Sequence, residues 1–145
     1  MSKQKLIGYW VTTGLFAAAF LASGVAEVSA APAVVQVMRA LGYPLYFLTI
    51  LGVWKILGAA ALLAPGLPRL KEWAYAGIFF DLTGAAFSHA SSGDPAGKVV
   101  MPVVFLLLAA ASWALRPAAR AWKPDATMPK SGRAEASREK VAAHA

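Results

Sequence analysis

The sequence predicts an all-α fold, a bundle of four transmembrane helices with a short interfacial helix on the outer side between helices 1 and 2. Three observations lead there. Of 145 residues, 59% are apolar and only 14% are charged, against about 25% charged in ordinary soluble domains, and mean hydropathy is +0.57. Four apolar stretches each approach the ~20 residues that cross a bilayer as a helix. A lipid core offers the backbone no outside hydrogen-bond partner, so helices are the default there. With four spans, the basic residues also fall almost wholly on one side.

The first span is expected over about 6–28, free of charge between Lys5 and Glu27. Gly14, Ala18 and Ala22 recur every four residues, which predicts a packing face, since helices approach closely in lipid through small residues. Lys3, Lys5 and the small residues Val28-Ser29-Ala30 also resemble a signal peptide and its cleavage site. The apolar run is longer than the roughly 7–15 residues of such a signal, so the segment is expected to be retained. Pro32 and Gly42 then bracket Val34, Val35, Val37, Met38 and Leu41. Proline opens helices and glycine closes them, which predicts the short outer helix.

The second span, 44–64, is apolar except for Lys55, with Gly52, Gly58 and Ala59 as its small residues. Pro65-Gly66-Leu67-Pro68 and the charges after it predict a turn. The third span, 73–91, is broken only by Asp81 and His89. Asp81 shares a stripe with Gly77 and Ala85, with Gly84 and Ser88 beside it, which points Asp81 into the bundle. Ser92 to Lys98 reads as another turn and 99–115 as the fourth span. Residues 1–117 thus form the membrane domain, and 118–145 a basic cytoplasmic tail expected to be disordered.

Orientation follows from the cations. Lys3, Lys5, Arg69, Lys71, Arg116, Arg120, Lys123, Lys130, Arg133, Arg138 and Lys140 share one side, whereas Arg39 and Lys98 lie on the other. The positive-inside rule places both termini in the cytoplasm, and a bacterial cytoplasmic (inner) membrane is the expected location. The basic tail is expected on anionic lipid. Nucleic acid is the poorer partner, because Trp122 is its only aromatic residue. The absence of cysteine excludes disulfides and iron–sulfur ligation within the chain. One histidine outside the tail does not make a zinc or copper site.

Lys55 and Asp81 carry the chemistry. A charge at bilayer depth costs roughly 2.5–3.5 kcal/mol on insertion scales and marks a pair or a site. Both fall near mid-membrane on neighbouring antiparallel spans, so an ion pair between them is expected, either to pin helix register or to serve function. Glu27 and His89 are placed together near the outer end, as a proton port or a plain interfacial contact. Trp54, Phe80, Thr83 and Ser88 are candidate ligand-lining residues. Lys55 or His89 could hydrogen-bond a ligand oxygen.

The order of several short motifs resembles the DoxX-like family of small four-helix membrane proteins. They are Gly14-Leu15-Phe16, Leu41-Gly42-Tyr43-Pro44, Trp54-Lys55-Ile56-Leu57-Gly58-Ala59, Leu70 through Gly77, then His89 and Gly93-Asp94 before Pro102. The resemblance covers roughly residues 6–117. It implies an accessory subunit of a membrane redox system linked to quinone rather than a stand-alone enzyme, because the family takes its name from a subunit associated with thiosulfate:quinone oxidoreduction. An animal branch acts as a chaperone in receptor assembly, which implies the alternative of a scaffold for other transmembrane helices. A small proton-coupled carrier using Asp81, Lys55 and His89 is a third reading. No catalytic residue carries over. The expected partners are the lipid bilayer and other membrane proteins or a second copy of the chain. No cofactor is expected beyond a quinone between helices.

Overall fold

The computed structural model describes residues 2–122, and every regular element among them is helical. Helix α1 spans Lys3–Val28, with the Ser2 hydroxyl capping the Lys5 amide at 3.4 Å. The side-chain oxygen satisfies a first-turn donor that has no partner within the helix. Helix α2, Pro32–Ala40, starts on proline, whose fixed φ suits a first turn. It closes where Gly42 takes φ +77° and the Tyr43 amide donates to the Met38 carbonyl. Helix α3 is Tyr46–Leu63, α4 is Pro68–Ser91 and α5 is Ala96–Leu115, followed by a 3₁₀ turn at Ala118–Arg120.

Three helices, α1, α3 and α5, are long and apolar enough to cross a membrane. The four-span expectation is therefore met in part. Helix α4 has 24 residues, about 36 Å at 1.5 Å per residue, but Lys71, Glu72, Asp81 and His89 lower its apolarity. It also begins at Pro68 rather than near 73, because proline suits the first turn and Lys71 is absorbed by the fold rather than ending the helix.

The four long helices pack in the cyclic order α1, α3, α4, α5. Phe16, Phe20, Leu62, Tyr75, Ile78, Leu82 and Ala109 form the core between them. Thr13 of α1 meets the Ser112 hydroxyl of α5 at 2.6 Å, and Tyr75 of α4 meets the same hydroxyl at 2.8 Å. All three side chains are buried, so each hydroxyl has the partner that burial demands.

Helices α1 and α3 touch backbone to backbone at Gly24 and Gly52. A Cβ on Gly24 would lie 2.8 Å from the Gly52 carbonyl oxygen, and one on Gly52 would lie 2.6 Å from that of Gly24. This corrects the expected packing face of α1: a Cβ on Gly14 would touch nothing within 4 Å, and Ala18 and Ala22 are exposed. Four-residue spacing identifies small residues, but a close crossing needs glycine on both helices at one depth.

The C-terminus of α3 is closed by two cations. Lys71, 1% exposed, donates from Nζ to the carbonyls of Ala61, at 2.8 Å, and Ala64. Arg120 donates to the Leu62 and Leu63 carbonyls at 3.0 and 3.4 Å, and to the Tyr9 hydroxyl at 3.0 Å. These carbonyls have no partner within their own helix, and cations suit that end of the helix dipole. The expected tail thus begins with an ordered turn. Its remainder, 123–145, lies outside the described residues.

Candidate functional site

The glycine crossing sets the depth of everything near it. It places the last turn of α1 beside the middle of α3. The Lys55 ammonium there donates to the Glu27 carboxylate and, at 3.4 Å, to the Ser23 hydroxyl. Ser23 donates in turn to Glu27 at 3.3 Å. Asp81 of α4 brings Oδ2 to 3.7 Å from the same ammonium, close enough for charge attraction and too far for a hydrogen bond. The Phe20 ring centroid lies 5.7 Å from Nζ, within cation–π range.

Side-chain exposures of 13% for Lys55, 7% for Glu27 and 17% for Asp81 put all three largely out of solvent. One cation serves two carboxylates. Glu27 Oε2 and Asp81 Oδ2 accept no hydrogen bond among the described residues. The ammonium has three N–H donors, and two are used in protein hydrogen bonds. An uncommitted donor and an uncommitted acceptor therefore stand side by side.

They stand at a groove. Between α3 and α4 lies a cavity of about 400 Å³, lined by Phe20, Trp54, Leu57, Gly58, Leu70, Trp73, Gly77 and Ile78 among others. Lys55 and Asp81 are the only charged residues in its lining among the described residues.

The structure thus brings Lys55 and Asp81 together as the sequence predicts. It adds Glu27 as the hydrogen-bonded partner of Lys55. The expected Glu27–His89 contact is corrected: His89 Nδ1 instead meets Asp94 Oδ2 at 2.7 Å, and Lys98 meets the other oxygen of Asp94 at 2.8 Å. The hydrogen bond from His89, and then that from Lys98, hold the Asp94 carboxyl below its ordinary pKa. The ends of the apolar segments do not share one depth, because α1 stops beside mid-α3. A signal for the true contact was present: Gly24 precedes Glu27 by three residues, and Gly52 precedes Lys55 by three.

Among the candidate lining residues, Trp54 borders the groove. The others do not. Phe80 is 72% exposed, Thr83 bonds back to the Phe79 carbonyl at 2.7 Å, and Ser88 bonds the Tyr43 hydroxyl at 2.8 Å. Phe20, Leu70 and Trp73 line the groove without having been expected to. Trp73 sits beside the turn charges and reads from sequence as an interfacial belt residue.

A sequence profile of the DoxX-like family matches residues 11–112. The chain belongs to that family. No curated protein and no solved structure matches it.

Proposed function

We propose that this DoxX-like protein is an accessory subunit of a membrane redox system and holds a quinone in the groove between α3 and α4. The observation that carries the reading is the groove itself, an apolar slot whose only charges among the described residues, Lys55 and Asp81, lie next to each other. A quinone head accepts hydrogen bonds when oxidised and donates them when reduced. The free N–H of Lys55 suits the first state and Asp81 Oδ2 the second. Glu27 holds the ammonium in place from behind. Trp54 and Trp73 offer flat apolar surface to a ring.

On this reading α4 is the fourth span. Its charges turn toward neighbours, with Lys71 on carbonyls of α3 and Asp81 on Lys55, while Phe79, Phe80 and Phe87 face outward. The inner membrane, with the Lys71 end of the helices in the cytoplasm and α2 on the outer interface, accounts for the distribution of cations. Uncommitted hydrogen-bonding groups at the groove favour a small ligand over the scaffold alternative.

The test is titration of the protein in nanodiscs with a short-tailed quinone, read by tryptophan fluorescence. Saturable quenching, weakened about tenfold or more by Lys55→Met, is expected. Quenching that rises without limit and is the same in both proteins overturns the reading in favour of a scaffold.

A further inference from the structure

One face of α4 is covered by nothing among the described residues. Trp73, Gly77, Phe80, Gly84 and Phe87 follow one another at intervals of four, three, four and three residues. That average of 3.5 keeps all five on a single stripe of a helix that pairs with another. The aromatic members are 79%, 72% and 74% exposed, and both glycines are exposed. A Cβ on Gly77 or Gly84 would meet nothing within 4 Å, so packing within the protomer does not require either glycine.

We propose that this stripe is a homodimer interface, with α4 packed side by side, in parallel, against α4 of a second copy. The stripe carries both halves of its own complement. Aromatic residues are the knobs, and glycines open the hole on either side of each. In a parallel pair, Phe80 of one copy enters the hole between Gly77 and Gly84 of the other, and the reverse contact follows by symmetry. A different helix would need only one half of that pattern.

Lipid does not account for the stripe. Glycine inside a helix costs about 1 kcal/mol relative to alanine, and against acyl chains it makes fewer contacts than any larger residue. Glycine does permit close approach of two helices. Aromatic side chains bury about 150–250 Å² each. Three of them, largely exposed, would contribute on the order of 400 Å² per copy, half of the ~800 Å² per partner in a standard interface. Leu70, beside the stripe and 49% exposed, would add to it. No charge lies on the stripe, and Asp81 at its edge turns to Lys55. The interface therefore desolvates no ion.

The natural chain has no cysteine, so single cysteines report contact cleanly in the full-length protein in membranes. Under mild oxidation, Gly77→Cys and Gly84→Cys should form disulfide-linked dimers at least tenfold faster than Leu107→Cys, an exposed position on α5. Equal rates at all three positions overturn the proposal. The double change Gly77→Leu with Gly84→Leu fills the intermolecular hole, and at Gly77 it also takes up part of the groove wall. It should give a monomer by light scattering in detergent, with helicity retained. A dimer that persists in that variant also overturns the proposal. If the double variant does not fold, the cysteine rates decide. Trp73 and Gly77 border the groove as well as the stripe, whereas Gly84 lies outside it, so the Gly84→Cys rate separates this proposal from the groove reading.

Discussion

Two lysines lie on the seam between α3 and α4, and they are held in opposite ways. At the turn, Lys71 is buried among backbone carbonyls, with no carboxylate within salt-bridge distance among the described residues. At mid-seam, Lys55 is held by one carboxylate, attracted by a second, and borders a groove. Carbonyls do not titrate, and the ones that Lys71 takes are the orphan acceptors of a helix end. Lys71 therefore acts as a cap on the end of α3. The partners of Lys55 are charged, outnumber it and retain free hydrogen-bonding atoms. The same side chain is a structural cap in one place and the core of a candidate site in the other, and the partner set decides which.

The largest effect should come from Lys55→Ala. It leaves Glu27 and Asp81 buried without a cation, and breaking a buried pair costs about 3–5 kcal/mol. Denaturation in mild detergent should show it, and Glu27→Ala in the Lys55→Ala background should recover part of the loss. A double-mutant cycle should give a larger coupling for Lys55 with Glu27 than with Asp81; the reverse order would break the assignment of Glu27 as principal partner. Next comes Lys71→Met, which orphans carbonyls at the end of α3 at a cost of about 1–3 kcal/mol, measured the same way, and leaves quinone affinity unchanged. If it lowers affinity as much as Lys55→Met does, the division between the two lysines fails.

Asp81→Asn should cost less than about 1 kcal/mol, because Asp81 Oδ2 accepts no hydrogen bond among the described residues. Binding of the reduced quinone should still weaken severalfold in the fluorescence titration.

The smallest effect lies outside the membrane. Asp94 is held below its ordinary pKa, so its contribution to stability is present above that ordinary value and is lost as pH falls through the lowered one. Melting temperature should drop on that acid limb, and Asp94→Asn should flatten this part of the profile. An unchanged acid limb in Asp94→Asn would show that the loop cluster does not contribute.

Much of the helical order could be read from the sequence, because long apolar runs and proline or glycine punctuation act locally. Pro32 and Gly42 bracket α2 as expected. Lys55 and Asp81 met because a short turn forces α3 and α4 to be neighbours, which spacing alone dictates. The depth of Glu27 is not legible in its own segment, because it depends on where α1 crosses α3, and that is fixed by two glycines far apart in the chain. His89 was misassigned for a related reason: Asp94, five residues on, is a nearer partner than any residue of α1. The outward turn of Gly77 and Gly84 was equally hidden, since a stripe of small residues has the same spacing whichever way it faces.

The crossing of Gly24 and Gly52 has a mechanical consequence. With the two main chains already in contact, α3 has nowhere to retreat, and α1 and α3 act as a single stiff plate. Any occupant larger than the slot must gain its width from the opposite wall. That wall is α4, backed by α5 and tied at one end by the short segment before Pro68. At its other end α4 is tied again, the Ser88 hydroxyl meeting that of Tyr43 at 2.8 Å, so both ends of the slot are fixed and its middle is the part left to widen.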